Sequence, residues 1–339
     1  MRKLAAILFV ALLGSSVFSV AQEPVDRINT QYEGVERVRV EGVFCDVSVE
    51  RGDGDEVSLE GEIRSTRKTN DYAIRASRDG EELRIRVEHP KKMTGNVKGF
   101  LAFRAPADVS FEVDNVSGDI DVVDNAASKL SLKSVSGNIK IAGVGGEVKL
   151  KSTSGNIEAS EVNGPLSISS VSGDQDISRV KGTLSASSTS GKITADMVEG
   201  HASINVTSGD MMLKNLEGGA GLKSTSGDIR IDVVKEKLSV KAISGDVIFS
   251  DVTGEIDIRT TSGDQKGKSV MFAGDSSFNS ISGDINVDFT NIESALGFDL
   301  RSGSGKLSAG ESASDERLVK EGGEFTIKGS TTSGDQKFY

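Results

Sequence analysis

Residues 130–146 read LSLKSVSGNIKIAGVGG, and this stretch is one unit of a repeat. Its Ser136-Gly137 pair returns at Ser154, Ser172, Ser190, Ser208, Ser226, Ser244 and Ser262, at an interval of 18 residues each time. Looser copies stand at Ser117 before this run and at Ser282, Ser304 and Ser333 after it. A fixed short period with glycine at fixed phase means one supersecondary unit stacked on copies of itself, each burying the face that its neighbour exposes. The chain is therefore expected to be a solenoid.

The apolar columns define the unit. Six and four residues before the anchor serine stand Leu130 and Leu132, Val148 and Leu150, Leu166 and Ile168, Leu238 and Val240, Ile256 and Ile258, the alternation of a strand. Three, five and eight residues after it stand Ile139, Ile141 and Val144, then Ile157, Ala159 and Val162, then Ile229, Ile231 and Val234. Each unit holds two short strands between a Ser-Gly corner and a looser corner at Gly146, Gly164, Gly182, Gly200, Gly218 and Gly254. Glycine is expected at both corners because it reaches positive φ without steric cost. A helix of five turns would match the period, but a Gly in every unit and abundant Ser, Thr, Val and Ile oppose it. The expected fold is all-β, a single-stranded parallel β-helix of about 18 residues per coil, with roughly ten coils making a rod about 50 Å long. Ser134, Ser152, Ser170, Ser188 and Ser224 would stack inward as a hydroxyl ladder, and the scarcity of aromatics (13 Phe, 3 Tyr, no Trp) fits a thin aliphatic core.

Met1 to Ala21 carries Arg2 and Lys3, the apolar run Leu4 to Leu13 and a small-x-small site before Gln22, the pattern of a secretory signal peptide. The run is too short to span a membrane, and no cysteine follows it for lipid attachment. Residues 22–33 are expected as a linker. Residues 34–113 keep strand alternation without the period and are expected as irregular β-structure continuous with the rod and capping its open edge. Residues 114–304 form the regular coils; residues 305–339, with charged Asp315 to Glu324, form a loop and C-terminal cap. Losing Arg2 and Lys3 takes the net charge from −11 to −13. That acidity argues against nucleic acid and anionic membranes as partners, and no transmembrane segment is expected after signal cleavage. The single Cys45 has no partner for an internal disulfide and reads as a small core residue.

The run Phe103-Arg104-Ala105-Pro106, then Val109 to Val113, then Asn115-Val116-Ser117-Gly118-Asp119-Ile120, followed by recurrent S-x-S-G-[DN]-I units, resembles a bacterial family of exported β-strand-repeat proteins of unknown function labelled putative adhesins. The resemblance covers roughly residues 35–339. It implies the solenoid fold and a role at or beyond the cell surface, but no catalytic or binding residues.

Three columns bear on chemistry. Asp119, Asp174, Asp210, Asp228, Asp246, Asp264, Asp284 and Asp335 directly follow an anchor glycine. Stacked carboxylates about 4.8 Å apart repel, so Asp210, Asp228, Asp246, Asp264 and Asp284 are weak cation candidates. Their counter-charge is expected from the basic column three residues before the anchor, Lys133, Lys151, Lys223, Lys241, Arg259 and Arg301. Calcium fits less well. β-Rolls that bind it need G-G-x-G-x-D at both corners, and Asn138, Asn156, Lys192 and Lys306 interrupt the column. The plainer role is that Asp or Asn suits the corner conformation.

A carbohydrate-cleaving β-helix would need long loops with acids and aromatics to grip sugars; these coils are minimal in length. His89 and His201, in separate parts of the chain, support neither a metal cluster nor a nucleophile triad. No cofactor, metal or catalytic residue is expected. The third column stands immediately before the anchors and is β-branched at every one but Ser304, which Gly303 precedes. Strict alternation points it outward, making Thr189, Thr207, Thr225, Ile243 and Thr261 a candidate binding strip, whereas a kink at the corner would bury it. The sequence thus points to an exported, non-enzymatic recognition or structural rod in the periplasm, at the cell surface or outside the cell. Its ligand would be an envelope or extracellular protein or polysaccharide. The alternatives are a carbohydrate-active β-helix enzyme and an envelope-stress signalling partner.

Overall fold

The structure, a computed structural model, describes residues 23–67, 71–93 and 95–339. The expected signal peptide lies outside the described residues. Each coil sends one strand into a sheet that precedes the Ser-Gly corner and one into a sheet that follows it. Neighbouring coils pair in parallel at the sequence period. Before the corner Leu130 faces Val148 and Leu132 faces Leu150, and after it Ile139 faces Ile157 and Val144 faces Val162. The columns read from the sequence are the core: Leu130, Ile139, Ile141, Val144, Ile229 and Ile256 are fully buried. The single-stranded parallel β-helix is thus observed.

The first corner is built by glycine as expected. From Gly155 onward its glycines take φ between +112° and +148°. A Cβ on Gly173 would also meet the Gly155 carbonyl oxygen at 2.3 Å. The second corner works differently. Gly164, Gly182, Gly200 and Gly218 do not take positive φ; they are needed because a side chain there would strike the coil below, as a Cβ on Gly164 would meet the Gly146 oxygen at 2.0 Å. The left-handed residue of that corner lies three positions earlier and is mostly not glycine: Glu161 (56°), Arg179 (55°), Met197 (57°), Asn215 (52°) and Val233 (61°) in successive coils.

The buried serines form only fragments of a ladder. Ser170 donates to Ser188 at 3.2 Å, but Ser152 turns to the Gly155 carbonyl, and farther along Val206 and Ala242 break the column. A second polar layer comes from Gln175, Gln265 and Gln336. Each donates to the hydroxyl five residues back and to a carbonyl of the adjoining coil, as Gln175 does to Ser170 and Ser187 at 2.8 Å.

Both ends are assembled out of chain order. The coil made by Arg37–Glu41 and Cys45–Arg51 lies between the coil of Ser110–Ser117 and Ile120–Val123 and an outer coil of Glu82–Glu88 and Val97–Ala105. At the other end the last coil, Phe325–Ser333 and Gln336–Phe338, is inserted between the Ser282 coil and an outer coil of Leu296–Ser302 and Leu307–Ala309. Antiparallel strands close the edges: Glu56–Ser65 and Glu23–Glu33 on one sheet and Ala73–Asp79 on the other at the N-terminal end, Arg317–Lys320 and Ser312–Ser314 at the C-terminal end. Residues 23–33, expected as a linker, therefore form a strand; Val25, Ile28 and Tyr32 pack on the core. Setting aside these five capping strands, sheets of seventeen and sixteen strands leave fourteen stacked coils, a rod about 60 Å long.

The aromatics gather at the ends. None lies between Phe111 and Phe249, whereas Phe249, Phe272, Phe278, Phe289, Phe298 and Phe338 form one connected cluster. Gly267 makes room for it, since a Cβ there would lie 2.5 Å from the Phe249 ring. Cys45 is buried in the N-terminal end, and burial pushes its thiol up to about 12, so it stays a neutral core residue.

Candidate recognition groove

The strand before each corner alternates in and out until its last two residues, which both face solvent. In the Ser172 coil, Leu166, Ile168 and Ser170 are buried, then Val171 and Ser172 are both exposed. Pairing between coils skips the residue before the anchor: Ser134 faces Ser152 and Ser136 faces Ser154, leaving Val135 and Thr153 outside the register. Thr189, Thr207, Thr225, Ile243 and Thr261 are all exposed in one row. Its largest members stand well out of the surface: Val171 is 50% exposed, Ile243 53% and Ile281 56%. Between this row and the column three before the anchor runs a shallow groove of about 680 Å³, spanning the coils from Val171 to Thr261. Its other wall is Ser169, Ser187, Asn205, Lys223, Lys241 and Arg259, and no carboxylate lines it.

The Asp column lies across the corner on the other sheet and is occupied by structural work. Each carboxylate accepts, through Oδ1, the backbone N–H of the equivalent residue one coil on: Asp228 from Asp246 at 3.1 Å, Asp246 from Asp264 at 2.9 Å, Asp264 from Asp284 at 3.0 Å. Asn138 and Asn156 accept in the same way, which is why the position alternates between Asp and Asn. Asp210 serves Asp228 at 2.9 Å, but Lys192 has no acceptor to offer Asp210.

The counter-charge of this column is not the expected one. Lys266 bridges Asp264 at 2.9 Å and Asp246 at 3.7 Å, and Arg230 reaches Asp228 at 3.1 Å; both follow the corner. The Asp284 N–H and then Lys266 hold the Asp264 carboxyl below the usual range. Among the described residues no group of three or more His, Cys, Asp or Glu side chains is arranged to hold a metal ion. The basic column, expected to neutralise the aspartates, stands on the opposite side of the corner because strands before and after it belong to different sheets. Its Lys133 pairs with Asp114 at 3.4 Å and its Arg301 with Asp299 at 3.1 Å. Lys223 and Lys241 make no ion pair among the described residues. Reading them as counter-ions hid their place in the groove wall.

Two other features carry charge. At the N-terminal end a cleft of about 680 Å³ is lined by Glu36, Asp55, Asp79, Glu81, Glu82 and Asp108 beside Arg37. There Arg84 holds the Glu82 carboxyl down. Burial, then Asp119, raises Asp121 on the sheet after the corner. His89 and His201 sit apart, each ring Nδ1 near a backbone carbonyl, of Pro90 at 2.9 Å and of Gly218 at 3.2 Å. No helix among the described residues is long and apolar enough to cross a membrane.

Solved structures similar to this chain are described as bacterial adhesion proteins. A putative cell adhesion protein from Clostridium sporogenes is 8% identical, with 93% of this chain and 99% of that one covered, at a TM-score of 0.19. A putative adhesin from Parabacteroides merdae is 10% identical, covering 73% and 96%, at 0.31. One from Bacteroides fragilis is 12% identical, covering 92% and 97%, at 0.28. No curated protein matches. The family model described as Toastrack DUF4097 matches residues 38–217 and again 202–338, nearly the whole rod, and the chain belongs to that family.

Proposed function

We propose that this protein is an exported, non-enzymatic recognition rod that attaches to an envelope or extracellular ligand through the groove beside the Thr189–Thr261 row. The observation that carries this reading is the row itself. Exposed β-branched side chains repeat along a straight face held by in-register backbone pairing, a pre-ordered surface that loses little conformational entropy on binding. The adhesion names of similar structures agree with it but add no residues. Attachment of the purified protein to envelope material tests it. Thr207→Glu, Thr225→Glu and Ile243→Glu together should abolish attachment and leave the melting temperature nearly unchanged, because these side chains are exposed. Undiminished attachment would move recognition elsewhere.

The carbohydrate-active alternative has one feature in its favour, the six-carboxylate cleft at the N-terminal end. A general acid there would need a raised pKa, whereas Glu82 is held down by Arg84. Release of reducing ends from a polysaccharide, lost when another carboxylate of this cleft is neutralised (Glu81→Gln or Asp108→Asn), would establish that reading in place of the first.

A further inference from the structure

We infer that the groove takes a linear anionic polysaccharide laid along the rod axis, an assignment that rests on the recognition reading above. Lys223 faces Lys241 in register on the adjoining strand, and Lys241 faces Arg259 on the next. Like charges directly opposite one another in a sheet are destabilising, and here three are stacked. Arg259 has a partner, Asp257 at 3.3 Å; Lys223 and Lys241 have none among the described residues. The Asp column answers its own repulsion with backbone N–H groups and Lys266, but no carboxylate among the described residues pairs with Lys223 or Lys241. Three cations and no carboxylate in one groove of a chain of net charge −11 are complementary to an anionic partner.

The groove also favours a glycan over an acidic peptide. It crosses the strands, whose backbone groups are taken up by neighbouring coils, so a peptide laid along it would leave its own N–H and C=O groups without main-chain partners. A sugar chain brings hydroxyls, which Ser169, Ser187 and Asn205 match, and C–H faces, which rest on the methyls of Thr207, Thr225 and Ile243. The coil rise of about 4.8 Å spaces the cations by roughly the length of one sugar unit, so acidic sugars in sequence meet cations in sequence.

Calorimetry with the full rod tests this, using polygalacturonate (a carboxylate on each sugar), neutral dextran and polyglutamate. Polygalacturonate should bind, weakening several-fold between about 50 and 300 mM salt, and dextran and polyglutamate should bind far less. Lys223→Gln, Lys241→Gln and Arg259→Gln together should weaken polygalacturonate at least about tenfold without lowering the melting temperature, since a repulsion is removed. Equal binding of dextran or polyglutamate, or an unaffected triple variant, overturns the inference. If the Thr207, Thr225 and Ile243 variant abolishes envelope attachment while polygalacturonate fails to bind, the recognition reading stands and the polyanion assignment falls.

Discussion

Asp246 shows how much a single side chain does at the corner. Its Oδ1 takes the Asp264 N–H, and its other oxygen faces Lys266. Asp246→Ala should cost about 1 kcal/mol in denaturant unfolding, as loss of one hydrogen bond to an otherwise unserved N–H does, while Asp246→Asn should be close to neutral. Conversely Lys192→Asn supplies the missing acceptor for Asp210 and should stabilise by a similar amount; a destabilised Lys192→Asn would contradict the ladder. Asp264, with its pKa lowered by the Asp284 N–H and Lys266, contributes stability that is full above the unfolded carboxylate value of about 4. That contribution disappears as pH falls through the lower folded value, so Asp264→Asn should flatten the acid limb of the stability–pH curve. At the second corner Val233 holds φ +61°, a conformation that costs an L side chain about 1–2 kcal/mol. Val233→Gly should therefore be neutral or stabilising by up to about 1 kcal/mol once its added unfolded-state freedom is counted, although it deletes a side chain. Alternation pointed the row outward, Ala242 in and Ile243 out, but left open a kink at the corner that would have buried it; the row is exposed. The ladder and the left-handed column were not legible. The first depends on an acceptor meeting the next coil, and the second has no shared residue type, running through Glu161, Arg179, Met197, Asn215 and Val233.

Coils are the elements, and those at the ends differ from the middle in connection more than in shape. The central coils follow the chain, so their 18-residue spacing, their apolar columns and the places of their corners could be read from sequence. The ends could not, since nothing in residues 325–338 says that this last coil sits between two others. Its SGDQ corner looks like any other; only the 29-residue gap from Ser304 to Ser333 hints that the chain leaves and returns. The arrangement locks the C-terminal coil, because Phe325–Ser333 is hydrogen-bonded on both sides and Arg317–Lys320 forms the edge instead. Native-state hydrogen exchange should accordingly find amides of Phe325–Ser333 protected like those of the central coils, with Arg317–Lys320 opening first. Fastest exchange in the last coil would mean that it frays as an ordinary terminal repeat.

As a whole molecule the rod is one continuous apolar column, so a charge placed inside it has no neighbouring compartment to escape to. Ile229→Asp puts an unpaired carboxylate at a fully buried position and should cost several kcal/mol, splitting or abolishing cooperative unfolding. Equal melting of variant and parent would show that the column is not the core. At this scale the proposed recognition rests on the two sides of the rod being different. The face before the corner presents Val171, Ile243 and Ile281 beside unpaired lysines, while Met197 and Met271, 44% and 46% exposed, lie on the far side with the second corner. Hydroxyl-radical footprinting of the rod attached to envelope material compares these sides directly, without any substitution. Protection of Val171 and Ile243 with Met197 and Met271 still oxidised is the result expected of recognition through the groove. Protection of Met197 and Met271 with Ile243 unchanged would contradict it.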